Sequence, residues 1–393
     1  MSGRTRFYVF FVTAPVVAFA LVGALLGKVW ARETTYANLR VFEDVVSLIA
    51  SNYVEEVNIS KVMKGAMSGL AEGLDPDSAY LPPEAVRQLD DRSAQPAADI
   101  GVELTRQYYV RVIAARDNSP AARAGLRAGD FLRVIGDKPT REMSVWEATR
   151  LLRGEPGTKV NLLVIRGSAA DPHPVEVVRE VPPPPAVSAR IIGGDVGYLR
   201  VTAFGPGIPA GITARTAELV KGGASRLVID VRDVAEGPLE SGPAAARLFV
   251  PSGTLLYKET KGGGREAVEA GGGAGSIGQP AVVLVNRGTS GAAELFAAAL
   301  AGNKRAELVG ERTEGRAGLQ KLVRLNDGSA MLITNAWYLT PGGDAIHQKG
   351  LAPAQAVAEP DVEFGAAPPA TDPILDDALR RVRQMLLTVP GRP

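Results

Sequence analysis

The run Gly288-Thr289-Ser290-Gly291-Ala292-Ala293-Glu294 follows the apolar stretch Ala281–Val285 after Asn286 and Arg287 and opens an alanine-rich segment reaching Leu300. A buried strand, a tight turn of small residues and a helix place that turn at a helix N-terminus. There the free backbone N–H groups and the positive end of the dipole stabilise an oxyanion. Other chemistries are narrowed by composition. The chain has no cysteine, which excludes disulfides, thiolate catalysis and cysteine-built zinc sites. Its two histidines, His173 and His347, are too few for a histidine-built metal site, and no cofactor is called for. His347 lies among loop-like residues and reads as structural or solvated. A net charge of +1, with 44 basic and 43 acidic side chains, gives no global field towards nucleic acid. Many α/β proteins use such a turn only to reverse the chain, so the turn alone leaves both readings open.

The elements that must hold this turn can be read along the chain. At 393 residues and 46% hydrophobic content, the chain is long enough for one large core or two to three modest ones. Leu39, Phe42, Val45, Val46, Ile49 and Tyr53 recur at helical spacing and predict a helix over about 36–52. A second helix from about Ser60 carries Val62, Met63, Ala66, Met67 and Leu70 and ends near Gly73. Val196–Phe204 and Leu227–Val231 read as strands flanking a helix over Gly211–Val220. Glu180–Ala186 is a stiff proline run. The glycine-dense Lys261–Gly275 predicts a flexible loop, and no Gly-Lys-Ser/Thr follows to make it a phosphate cradle. Leu322–Leu325 and Ala330–Thr334 predict strands around the Asn326-Asp327-Gly328 turn.

Phe7–Gly27 is 21 residues without a charge, preceded by Arg4 and Arg6. At 1.5 Å per residue it spans roughly 31 Å, enough to cross a hydrocarbon core. The basic flank favours an amino terminus in the cytoplasm and the body outside, although Lys28 and Arg32 weaken the asymmetry. Val29-Trp30-Ala31 also fits a cleavage site, so a removed signal peptide competes with a retained anchor. The run is long for a signal, which favours the anchor. The expected location is the cell envelope, anchored to the inner membrane, or periplasmic or secreted if the segment is removed.

The length and order of one stretch add specificity. Val285–Gln320 resembles the catalytic segment of the carboxyl-terminal processing peptidases, tail-specific serine proteases with the pattern Val-Asn-x-Gly-Ser-Ala-Ser-Ala-Ser-Glu, later Val-Gly-Glu-x-Thr-x-Gly-Lys-x-x-x-Gln. Laid on it without a gap, Glu294 puts the nucleophile position at Gly291. Gly310, Glu311, Thr313 and Gly315 put the base position at Arg316 and the orienting position at Gln320. Glycine offers no nucleophile. A guanidinium with a pKa of roughly 12.5 or more stays protonated and is a poor replacement for a lysine that must lose its proton. The family's Asp-x-Arg-Asn-Asn-x-Gly-Gly turn, which supplies an oxyanion donor, appears here as Asp230-Val231-Arg232-Asp233-Val234-Ala235-Glu236-Gly237-Pro238. One glycine remains, Glu236 opposes an oxyanion, and Pro238 has no N–H to give. Glu236 is a candidate salt-bridge partner for Arg316. Leu74-Asp75-Pro76-Asp77-Ser78-Ala79-Tyr80-Leu81 resembles the family's Leu-Asp-Pro-His-Ser-x-Tyr-Leu run, with Asp77 in place of the histidine.

Asp117–Asp130, with Ser119-Pro120-Ala121-Ala122 and Ala124-Gly125-Leu126, is similar to the diagnostic loop of PDZ domains, followed by Phe131–Ile135 and a helix over Ser144–Arg153. The resemblance implies capture of protein or peptide C-terminal segments by strand addition. The implied groove residues are Ile100, Gly101, Val102, Val145, Thr149 and Leu152. Asp99, in a loop that is usually glycine-rich, would repel a peptide carboxylate.

The implied fold is α/β: a helical segment, then a PDZ domain inserted before a mixed α/β tail-specific protease core of crotonase/ClpP-like type. The expected divisions are 1–32 signal anchor or signal peptide, 36–96 helical segment, 97–167 PDZ domain, 168–195 linker, 196–360 core and 361–393 terminal helix and tail. The implied protein is an exported, non-cleaving homologue that binds protein segments or partners. The alternative is an active endopeptidase using Ser290 in a rebuilt site, although adjacent residues of a helical turn point about 100° apart. A structural subunit of an oligomer, or of a pair with an active paralogue, is also open.

Overall fold

The structure is a computed structural model that describes residues 39–91, 96–167, 171–272, 274–367 and 369–385. The expected membrane segment Phe7–Gly27 lies outside the described residues. Among the described residues no helix is long and apolar enough to cross a membrane. The chain divides into two compact units, 1–69 and 70–393. The described part of the first unit is a helix over 39–52, then the first turns of the helix Ile59–Glu72. Phe42, Val46 and Ile49 are half-buried there, while Leu39, Val41, Val45 and Leu48 are exposed.

The second unit contains three sheets. The first is the PDZ sheet, with strands in the order Val102–Gln107, Tyr109–Ala115, Phe131–Ile135, Lys159–Ile165, His173–Val178. The helix Val145–Leu152 starts at Ser144, whose hydroxyl accepts from Glu147 N. Its residues Ala148 and Leu152 pack with Ile100, Leu104 and Leu132 in one apolar cluster.

The second sheet holds the site. Its order is Gln355–Ala356, Ala306–Gly310, Ala281–Val285, Arg226–Asp230, Val196–Val201, Val187–Ile192, all parallel except the last pair. Ala281–Val285 lies at the middle with every residue buried, as an uninterrupted apolar run requires when helices cover both faces. Ile212, Leu219, Leu295 and Phe296, from the helices Ile208–Lys221 and Ala292–Gly302, fill one face. Ile374, Ala378 and Val382, from the helix Pro373–Gln384, fill the other.

Two sequence expectations are corrected. Residues 168–195 are more than a linker: His173–Val178 completes the PDZ sheet against Lys159–Ile165, and Val187–Ile192 pairs with Val196–Val201 at the edge of the core sheet. Within Lys261–Gly275, Arg265–Glu269 pairs antiparallel with Thr254–Thr260. The glycines that suggested a loop make its turn, with Gly262 at φ 95° and Gly263 at φ 79°. This hairpin extends the third sheet, in which Ala330–Leu339 pairs with Ala79–Leu81, Gly318–Arg324 and Thr254–Thr260.

Candidate active site

The turn after Ala281–Val285 is tied down before the helix Ala292–Gly302 begins. The Asn286 side-chain oxygen accepts from Gly288 N at 3.0 Å and from Asp233 N at 2.9 Å. Thr289 Oγ1 donates to Val231 O at 2.9 Å, and Ser290 N donates to Val234 O at 2.9 Å. The turn is thus fastened to the loop that leaves the neighbouring strand Arg226–Asp230. Gly291, placed at the nucleophile position by the sequence resemblance, is the N-cap of the helix with φ 60° and ψ −123°. An L side chain rarely adopts that backbone, yet there is room for one. A Cβ on Gly291 would lie 3.6 Å from Ala235 O and from Leu239 Cδ2. The conformation is that of a sharp strand-to-helix elbow, the kind that presents a nucleophile when a hydroxyl is carried there.

Glu294, used in the sequence only as a landmark, is the fastener of the site. Its fully buried carboxyl accepts from Gly291 N (3.1 Å), Gly315 N (2.7 Å), Arg316 N (2.7 Å) and Thr313 Oγ1. It thereby joins the elbow to the loop carrying Arg316. Burial pushes its pKa up to about 7, against these four donors, which favour the anion.

Arg316 does not pair with Glu236. Its Nε lies 3.1 Å from Asp77 Oδ1 and its Nη1 3.6 Å from Glu103 Oε2, so the cation bridges the Asp75–Tyr80 run and the PDZ edge strand. Burial would lower the guanidinium pKa, but Asp77 and Glu103 overrule it and the net shift is upward. Burial raises the Glu103 carboxyl, with Arg316 opposing. Two departures from the resembled pattern, Asp77 and Arg316, therefore meet as one ion pair. Among the described residues Gln320 donates its side-chain amide to Asp77 O and not to Arg316. Arg111 binds Glu314 beside the same loop. A cavity of about 650 Å³ opens here, lined by Asp77, Thr105, Arg111, Glu314, Arg316 and His347. Both His347 ring nitrogens are buried without a hydrogen-bond partner among the described residues, and burial lowers its pKa.

Glu236 instead pairs with Arg116 of the PDZ domain at 2.6 Å, so its charge is met by a cation. Gly237 has φ 122°, and a Cβ there would fall 1.9 Å from Phe204 O, so only glycine fits. Ser290 is fully buried and its Oγ has no partner among the described residues. Lys304 is exposed beyond the far end of the helix Ala292–Gly302, about 15 Å of helix away. Lys304, the lysine nearest to Ser290 in sequence, is therefore not beside it to serve as a base.

Of the implied groove residues, Ile100 and Leu152 are part of the PDZ core, while Val102, Val145 and Thr149 stay partly exposed between edge strand and helix. Gly101 is buried with φ 78°. Among the described residues no group of three or more His, Cys, Asp or Glu is arranged to hold a metal ion. Glu103, Arg111 and Glu314, and the pairing of Asp77 with Arg316, were missed by sequence reasoning because the partners are distant in the chain and no spacing signals them.

Comparison with known proteins bears on the fold and the family. The model of peptidase family S41 matches residues 195–357 and that of the PDZ domain residues 111–166. The chain is 31% identical over 297 residues to the carboxyl-terminal-processing protease of Synechocystis, covering 74% of this chain and 69% of that protein. It is 29% identical over 364 residues to the carboxy-terminal processing protease CtpA of Bacillus subtilis, covering 90% and 77%. The solved photosystem II D1 C-terminal processing protease superposes with a TM-score of 0.68 at 26% identity, over 81% of this chain and 92% of that one.

Proposed function

This chain belongs to the carboxyl-terminal processing protease family, peptidase family S41, and on that premise we propose that it is a non-cleaving member that captures extended protein segments. The observation that carries the reading is the elbow at Gly291. Its backbone has the conformation that presents a nucleophile, and its residue carries none. The base position supports the same reading, since Arg316 is a cation held by Asp77 and Glu103 rather than a group free to accept a proton. The reading with Ser290 as nucleophile is disfavoured by its complete burial and the absence of a base beside it. A PDZ domain suggests binding of C-terminal peptide segments, and the partly exposed Val102, Val145 and Thr149 offer the edge for strand addition. In this proposal Phe7–Gly27 anchors the chain to the membrane with its body outside the cytoplasm.

The test is capture without cleavage, read by anisotropy of fluorescein-labelled unfolded casein titrated with the full chain, followed by electrophoresis of the bound casein. Saturable binding with casein of unchanged length is expected. Absence of binding, or binding with fragments, would overturn the proposal.

A further inference from the structure

Two backbone donors of the loop leading into the PDZ edge strand, Asp99 N and Gly101 N, are already engaged. Ala98 and Asp99 are held by backbone bonds, Gly154 N to Ala98 O at 3.0 Å, Asp99 N to Glu180 O at 3.0 Å and Glu180 N to Asp99 O at 2.9 Å. Gly101 N is bonded to the Asp99 carboxylate at 2.8 Å. The nearest cation is occupied as well: Arg116 lies 3.8 Å from that same oxygen of Asp99 and 2.6 Å from Glu236. The loop has little freedom to rearrange. Gly101 N and O are both bonded, its φ is 78°, and a Cβ there would come 2.3 Å from Ser119 Cβ.

A peptide added to the edge strand Val102–Gln107 with its end at this loop would need backbone N–H groups and a positive charge for its terminal carboxylate. At Gly101 N and Arg116 it meets the Asp99 carboxylate instead. An internal segment presents only a neutral peptide group at that point and needs no such donors. The other end of the edge strand is open. Thr105, Arg106 and Gln107, with Ser144 at the start of the groove helix, line the cavity of about 650 Å³ described above, which gives a longer chain somewhere to run.

We infer that Asp99 sets the ligand class of this groove, acting as a built-in substitute for a terminal carboxylate so that the groove takes internal extended segments rather than free chain ends. The inference rests on the capture reading and narrows it. Asp99 is a specificity-determining residue here, and its removal opens the loop to free carboxylates.

The experiment uses the full chain and a randomised pool of short peptides made in two forms, free acid and carboxamide, with binding of each measured by competition against labelled unfolded casein. The native chain is expected to bind the carboxamide pool at least as well as the free acid. Asp99→Ala is expected to shift the ratio of the two affinities towards the free acid by about tenfold, the worth of one charge-assisted hydrogen bond regained. Asp99→Asn, which keeps an acceptor for Gly101 N and removes the charge, is expected to fall between them, and its circular dichroism shows whether the domain is intact. A native chain that prefers the free acid, with a ratio unmoved in either variant, would overturn the inference and leave the capture reading standing. If casein and both pools fail to bind the native chain and the variants alike, the capture reading falls and the inference with it.

Discussion

Replacing Gly291 by alanine separates backbone strain from crowding at the elbow. Its φ of 60° and ψ of −123° belong to a region that L residues seldom occupy, and holding one there costs on the order of 1–3 kcal/mol. Steric overlap adds little, because the added Cβ would meet Ala235 O and Leu239 Cδ2 at 3.6 Å, ordinary contact distances. Alanine also lowers the entropy of the unfolded chain by about 0.4–1 kcal/mol, to the same effect as an added cost of escape from the native state, so it offsets part of the loss. The net expectation is a destabilisation of about 1–2 kcal/mol, measured by urea denaturation of the full chain. Gly237→Ala is the contrasting case, since its Cβ would fall 1.9 Å from Phe204 O and the backbone itself would have to move. Equal stability of Gly291→Ala and the native chain would refute the strained-elbow argument. So would a loss as large as that of Gly237→Ala.

Two further outcomes follow from the fastened charges. The pKa of Glu294, raised to about 7, means that this group favours folding below its unfolded value near 4.5, and that the contribution is lost as pH rises through 7. The shift corresponds to about 3 kcal/mol, so denaturation of the native chain at pH 5 and pH 8, compared with Glu294→Gln, should reveal a pH-dependent difference of that order, with the loss on the alkaline side confined to the native chain. Arg316→Met leaves Asp77 and Glu103 facing one another without their cation. It should destabilise by about 1–3 kcal/mol at low salt and by less at high salt, and an unchanged urea midpoint would remove the bridging role argued for Arg316.

Much of this arrangement could be read in the sequence because it is local. The buried run Ala281–Val285, the small-residue turn and the alanine-rich helix lie within 22 consecutive residues, and their periodicity specifies strand, turn and helix in that order. The PDZ loop is equally local: Ser119 caps the short helix that starts at Pro120, and Asp130 lies where the next strand begins. What the sequence concealed was either two-sided or distant. Glycines at 262 and 263 support a tight hairpin turn as readily as a loop, and only the pairing partner decides between them. The strand Val187–Ile192 was hidden by the proline run before it. The bridge from Arg316 to Asp77 and Glu103 joins residues more than 200 positions apart, so no local pattern could announce it. The guess that Glu236 would fill the site failed for the same reason: Arg116, its partner, belongs to another domain.

The measurement that bears most directly on the account is hydrolysis of unfolded casein by the native chain, set beside Ser290→Ala and the double variant Gly291→Ser with Arg316→Lys. The account predicts no release of peptides above buffer by the native chain or by Ser290→Ala, with any activity confined to the double variant. Peptide release by the native chain that disappears in Ser290→Ala would contradict it and put the nucleophile at the neighbouring residue.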